Sequence, residues 1–133
     1  MEEVTLDSIN GRSLTLRRDL ALDSERIWRF VATLSSPKGA VTTKVLDLGP
    51  GLAAFVREVA VEWSGFVGLK EYATLEGQLL LSCRHDGKGA VYCSATLRQP
   101  EPPEWSLEAE LQFGAGAHLE KLADDVEAFS PFT

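Results

Sequence analysis

The residues best suited to metal or acid–base chemistry are two cysteines, two histidines and one aspartate. Cys83, His85, Asp86 and Cys93 lie within a span of eleven residues, and His118 lies 33 positions beyond His85. A zinc site needs four such ligands, usually in pairs spaced as C-x-x-C or H-x-x-x-H. Neither spacing occurs in the sequence. We therefore expect no metal and no cofactor.

His85 and Asp86 could act as a general base and its orienting carboxylate. Adjacent strand residues point to opposite faces, however, so Asp86 is poorly placed to hold the His85 ring. The pair Asp86-Gly87 is also typical of a tight turn. We interpret this corner as structural and predict no catalytic residue. A small enzyme or ligand-binding protein with a helix–sheet pocket near His85 is the alternative.

Two runs of alternating polarity, 79–86 and 91–98, predict a β-hairpin that positions these residues. Cys83 lies on the apolar face of the first run and Cys93 on the apolar face of the second. A three-residue loop at 87–89 would put the two cysteines opposite each other. A disulfide between directly opposed residues is strained, and we expect a reducing compartment. The cysteines are therefore predicted to be reduced thiols with a packing role.

Alternation and turn signals elsewhere predict eight strands and two helices in the order ββββ-α-ββββ-α. Residues 26–34 fit a strand or a helix, and the strand is favoured because a turn and a β-branched run follow. Apolar residues at helical spacing predict helices over 52–63 and 119–129. Trp63 ends the apolar stripe of the first helix and is predicted to anchor the core. A ligand pocket beside the loop 63–68 is the alternative.

The predicted fold is a single α+β domain spanning residues 1–133. Hairpins make the sheet antiparallel, and both helices must cover one face of it. The other face is then exposed over the second half of the chain, where tyrosines lie among hydroxyls and carboxylates. We predict a protein-binding face there, although a merely solvated face explains the same pattern. Its candidate binding residues are Tyr72, Arg84, Asp86, Tyr92, Arg98, Glu108 and Glu110.

The net charge of −7 is concentrated in the second half of the chain. Residues 67–133 carry five lysines and arginines against eleven acidic residues. Such a surface repels nucleic-acid phosphates and anionic lipids and attracts basic proteins, although solubility alone would favour the same charge. No apolar run reaches the length of a membrane span, and the acidic start at 1–3 does not resemble a signal peptide. We therefore expect a cytoplasmic protein with a basic protein partner, and no nucleic-acid or membrane partner.

Several short segments resemble a family of small bacterial proteins that is classed as a domain of unknown function. They are G-L-A-A-F at 51–55, W-S-G-F-V-G at 63–68, L-E-G at 75–77, H-D-G at 85–87 and G-A-G-A-H-L-E-K-L at 114–122. The resemblance extends over residues 51–129. It implies a shared fold, and it brings no activity and no site residues.

The function predicted from the residues is a non-enzymatic protein-binding module, for instance an immunity-type antagonist that masks a basic toxin. The small size, the uneven charge and the lack of a known catalytic motif favour it. A structural adaptor, joined through an edge strand or the exposed sheet face, is a further alternative.

Overall fold

The computed structural model describes residues 2–19 and 26–132, and its elements follow the order ββββα twice. The first half contains β1 (Glu3–Asp7), β2 (Ser13–Arg18), β3 (Ile27–Ser36), β4 (Gly39–Leu48) and α1 (Gly51–Val61). The second half contains β5 (Lys70–Ala73), β6 (Leu79–His85), β7 (Ala90–Gln99), β8 (Trp105–Gly114) and α2 (Ala117–Phe129). The predicted α+β class, element order and antiparallel pairing are confirmed.

The eight strands form two four-stranded sheets, β1-β2-β3-β4 and β5-β6-β7-β8, where the sequence suggested one. The chain leaves β4 into α1, so β5 does not return along β4 as a hairpin would. Single backbone bonds nevertheless join the sheets at both margins. The N–H of Ile9 donates to the oxygen of Gln112 (2.8 Å), and that of Leu75 donates to the oxygen of Leu46 (3.0 Å).

One apolar core is shared by both sheets and both helices. On β3 the alternate residues Trp28, Phe30, Ala32 and Leu34 are buried, which confirms the strand predicted for this segment. The two helices pack against each other, and Phe129 of α2 lies with its ring 5.7 Å from that of Trp28. Each large apolar side chain buried in this way stabilises the fold by about 2 kcal/mol.

Helix α1 ends earlier than its apolar pattern predicts. Its last residue is Val61, and the N–H of Gly65 closes a turn onto the oxygen of Glu62 (3.1 Å). Trp63 therefore lies outside the helix, and 59% of its surface is exposed. The prediction that Trp63 anchors the core is wrong. Among the described residues, no helix is long and apolar enough to cross a membrane.

Candidate functional site

His85 ends β6, and both of its ring nitrogens meet backbone groups. Nδ1 accepts the N–H of Gly87 (2.8 Å), and Nε2 lies 3.0 Å from the carbonyl oxygen of Trp63. These contacts fit a neutral ring that carries its proton on Nε2. The ring ties the loop after α1 to the turn after β6, and its acceptor nitrogen is occupied. The geometry is that of a structural histidine.

His118 makes the same kind of tie at the start of α2. Its Nδ1 accepts the N–H of Gly114 (2.9 Å), and its Nε2 lies 3.1 Å from the carbonyl oxygen of Asp7. The helix is thereby joined to β8 and to the end of β1. Within the described ranges, no three His, Cys, Asp or Glu residues lie close enough together to hold a metal ion.

The two cysteines lie opposite each other on β6 and β7, as their spacing predicts. Their Cα atoms are 4.0 Å apart, and the sulfurs of Cys83 and Cys93 form a disulfide. The expectation of two reduced thiols is therefore wrong for this structure. The direct opposition that was expected to disfavour the bond also brings the two sulfurs together on the core-facing side of the hairpin.

A cavity of about 20 Å³ lies between the helices and the sheets beside this disulfide. Its lining is wholly apolar and includes Phe55, Cys83, Cys93 and Phe113. A dry, apolar space of this size has room for about one water molecule and no polar group to hold it. His85 does not line the cavity, so this space does not supply the alternative helix–sheet pocket at that histidine.

Asp47 is fully buried at the end of β4, where its carboxylate closes the start of α1. One oxygen accepts the N–H of Leu52 (2.8 Å), and the other accepts the N–H of Leu48 (3.0 Å) and the hydroxyl of Tyr72. Burial raises the pKa of Asp47, while these three hydrogen bonds act to lower it. Burial and the adjacent carboxylate also raise the pKa of the Tyr72 phenol.

Gly51 shows how tightly this cluster is closed. A Cβ at Gly51 would overlap the Tyr72 hydroxyl and both Asp47 oxygens, so only glycine fits there. The carboxylate satisfies one backbone donor of the first helical turn, the N–H of Leu52, which would otherwise lack a partner within the helix. The cluster is a structural cap at the start of α1.

A polar surface is formed by the outer face of the second sheet, meaning the side chains of β5–β8 that point away from the helices. Strand register defines it, because these residues alternate with buried ones. The outer face consists of Glu71, Ala73, Leu80, Ser82, Arg84, Tyr92, Ser94, Thr96, Arg98, Ser106, Glu108, Glu110 and Gln112. The predicted placement of Arg84, Tyr92, Arg98, Glu108 and Glu110 is confirmed.

Tyr72 was predicted on this face, and that placement is wrong. It lies opposite Leu81 in the register, on the core-facing side, and its ring stacks on Phe55 at 5.4 Å. If the apolar Leu69 is counted as an inward residue of the strand, alternation places Tyr72 on the outer face. Leu69 is exposed, however, and it precedes β5, which starts at Lys70, so Leu69 does not indicate which residues of the strand point inward. The outward residues of this strand are Glu71 and Ala73, which the sequence pattern missed.

Asp86 was also predicted on the outer face, and it lies instead in the turn after β6. Its Oδ1 accepts the N–H groups of Lys88 (2.6 Å) and Ala90 (3.1 Å). These backbone bonds lower the pKa of Asp86. The side chain caps the turn, as the Asp-Gly pair indicates, and is not part of the sheet face.

Two arginines of the outer face have partners within it or at its margin. The Arg84 guanidinium lies 4.3 Å from the ring centre of Tyr92, and one of its nitrogens is 3.9 Å from Glu110. Arg98 donates from Nε to the carbonyl oxygen of Gly77 (2.7 Å). Exposed pairs of this kind contribute at most about 1 kcal/mol, so they orient the face more than they stabilise it.

A shallow trough crosses the centre of the outer face. Its polar lining includes the hydroxyls of Ser82, Ser94 and Thr96 and the carboxylates of Glu71 and Glu108. Ser94 donates to Glu108 (2.7 Å). Glu71 on β5 and Glu108 on β8 are three strand spacings apart, about 14 Å. In the part of the chain that the structure describes, neither carboxylate has an ion-pair partner.

The comparison with known families covers nearly the whole chain. Residues 5–131 match a family described as a family of unknown function, DUF6228, which extends the likeness seen at 51–129 to the first four strands. No curated protein and no solved structure matches the chain. The chain therefore belongs to this family of unknown function.

Proposed function

We propose that this protein is a non-enzymatic protein-binding module that takes a basic partner on the outer face of its second sheet. The observation that carries the proposal is the trough with Glu71 at one end and Glu108 at the other, neither of which pairs with a cation from residues 2–19 or 26–132. A lysine or arginine side chain in the trough would pair with a carboxylate and donate to the hydroxyls between them. Charge-assisted hydrogen bonds of this kind are the stronger ones.

The distribution of charge supports the same partner class. Residues 67–133 carry eleven acidic side chains and five basic ones, which would speed the approach of a cationic protein and repel nucleic acid and anionic membrane. An immunity-type antagonist that masks a basic toxin is the specific form of this function that we propose.

A small enzyme or ligand-binding protein centred on His85 is the alternative. The geometry favours it less, because Nδ1 of His85 already accepts the N–H of Gly87 and Nε2 lies against the oxygen of Trp63. A general base needs a free lone pair within reach of its substrate.

A cytoplasmic location is part of the proposal and has a simple test. A reducing compartment would keep Cys83 and Cys93 as thiols, whereas the structure has them bonded. Alkylation of the protein in freshly opened cells of its source, followed by mass measurement, should find two modified cysteines if the location is cytoplasmic. Unmodified, bonded cysteines would indicate an oxidising compartment.

The binding proposal is tested with octalysine as a defined basic probe. Titrated into the ¹⁵N-labelled chain at low salt, it should shift the amide signals of Ser82, Ser94 and Thr96. The double variant Glu71→Gln with Glu108→Gln should weaken binding about fivefold, since each exposed ion pair is worth roughly 0.5 kcal/mol. Added salt should weaken binding by the wild type further.

The matched control is Glu3→Gln with Glu120→Gln, which removes the same charge from two exposed sites elsewhere. It should bind octalysine nearly as well as the wild type. Equal weakening by both double variants would contradict the proposal, as would shifts centred on the acidic side chains of α2. Those are Glu120, Asp124, Asp125 and Glu127.

A further inference from the structure

The side of β8 that does not pair with β7 forms a margin of the second sheet. Backbone groups along an antiparallel strand alternate between its two sides. Gln112 turns outward, because its N–H donates to the hydroxyl of Ser8 (2.7 Å) and its oxygen accepts from Ile9 (2.8 Å). The register of β8 with β7 is unbroken from end to end. Glu110, Glu108 and Ser106 therefore turn their backbone groups outward as well.

The described residues cover only one end of this edge. The oxygen of Glu110 accepts the side chains of Asn10 (2.8 Å) and Arg12 (3.2 Å). Further along, no group within residues 2–19 and 26–132 bonds to the backbone of Glu108 or Ser106. Two N–H groups and two carbonyl oxygens thus stand open at successive outward positions, which is a template for another strand.

The side chains beside the open edge suit an added strand. On the core-facing side Leu107 is 41% exposed and Trp105 is half-buried. A groove beside Leu107 is lined by residues 107–110 of β8, by Arg12, and by Leu34, Ser35 and Ser36 at the end of β3. An added strand would bond to the edge through its backbone and place alternate side chains in this groove.

The charges along β8 indicate whether an added strand would come from a second copy of this protein or from a different protein. Glu108 and Glu110 lie on the outer side of the edge, and Glu101 and Glu104 precede the strand. Two copies joined through β8 would bring these carboxylates against one another, and like charges opposed across strands are destabilising. We propose that an extended, basic segment of the partner adds to β8 and bonds to Ser106 and Glu108. The inference rests on the proposed function for the partner's charge and adds how its backbone docks.

The test uses an eight-residue peptide that alternates lysine with valine and is blocked at both ends. Ser106→Pro removes one outward N–H and leaves the ladder with β7 intact, since edge strands accept proline at such positions. Ser106→Ala keeps the N–H and is the matched control. The peptide should slow amide exchange at Ser106 and Glu108 in the wild type. Proline should weaken its binding about tenfold relative to alanine, through the lost bond and the added ring.

Equal binding by the proline and alanine variants would overturn strand addition. The octalysine response of the Glu71/Glu108 double variant would still decide the proposed function separately. If the proline variant does not fold, exchange at the two wild-type amides decides, and unchanged exchange overturns the inference. Slow exchange there without peptide, in a chain with the mass of a dimer, would put a second copy on the edge and overturn it too. Equal binding of a glutamate–valine peptide would exclude the basic segment.

Discussion

Asp47 is the residue on which the start of α1 depends most. Replacing it with alanine leaves the N–H groups of Leu52 and Leu48 and the hydroxyl of Tyr72 without their acceptor. We expect Asp47→Ala to lower the free energy of unfolding by about 2–4 kcal/mol, measured by urea denaturation. Tyr72→Phe removes one of the three bonds and should cost about 1 kcal/mol. A cost below about 0.5 kcal/mol for the alanine variant would contradict the capping role.

The raised pKa of Asp47 also predicts how stability depends on pH. The folded state holds the proton of this carboxyl more tightly than the unfolded state, because burial disfavours the charged form. Its stabilising contribution is therefore full below the unfolded pKa of about 3.9 and is lost as pH rises through the folded value. The unfolding free energy of the wild type minus that of Asp47→Asn should fall as pH rises from about 4 to neutrality. A difference that rises with pH would contradict it.

The exposure of Trp63 predicts that removing its side chain costs little stability, whereas removing the core anchor that its spacing suggests would cost much. Since 59% of Trp63 is exposed and Trp28 is fully buried, Trp63→Ala should change the unfolding free energy by about 1 kcal/mol at most. Trp28→Ala should lower it by about 3–5 kcal/mol. Comparable losses in the two variants, measured by urea denaturation, would restore the core role.

Residue-scale prediction from the sequence succeeded where a turn or a long strand sets the side chain's direction. Arg84 and Tyr92 lie on long strands, where alternation places them on the outer face. Asp86 precedes Gly87, and this pair predicts the turn, although the carboxylate of Asp86 is predicted on the outer face and lies in the turn. The sequence pattern misses the capping role of Asp47, because this residue lies three positions before Pro50, which directly precedes α1, and so is outside the N-cap position that the sequence rules examine. The sequence pattern misses Glu71 because the apolar residues Leu69, Ala73 and Leu75 alternate in phase with it, which places Glu71 on the apolar face.

At the scale of elements, the hairpin of β6 and β7 shows what alternation can fix. Two runs of seven and ten residues determine both the faces and the pairing, so Cys83 opposite Cys93 was predictable. Strand β5 has four residues, too few for alternation to define its start, and Tyr72 was assigned to the wrong face. The end of α1 depends on the turn closed by Gly65 and not on the apolar stripe. The apolar spacing therefore predicts a helix that continues past its observed last residue, Val61.

The disulfide adds a prediction for this hairpin. It joins cysteines 10 residues apart, and closing so short a loop stabilises a fold by about 2–3 kcal/mol in the chain-entropy account. The unfolding free energy should fall by roughly that amount when reductant is added. The variant with both cysteines changed to alanine should be insensitive to reductant. No effect of reductant on the wild type, with free thiols counted before treatment, would mean that the bond is absent in solution.

At the scale of the whole molecule, sequence patterns supplied the order of elements and the antiparallel class but not the division into two sheets. Whether β4 and β5 pair depends on where the end of α1 lies relative to β4, and no short-range sequence pattern determines that position. That division leaves the second sheet with an exposed outer face and β8 with an open edge. Three of the eleven acidic side chains of residues 67–133 lie on that face, namely Glu71, Glu108 and Glu110, and we propose it as the surface for a basic partner.

The central claim is that the trough between Glu71 and Glu108 binds cationic side chains. The most direct measurement is the ratio of octalysine dissociation constants between the Glu71→Gln/Glu108→Gln variant and the Glu3→Gln/Glu120→Gln variant at low salt. We predict a ratio of about five, falling towards one as salt screens the charges. A ratio of one at low salt would contradict the account, because total charge and not the trough would then govern binding.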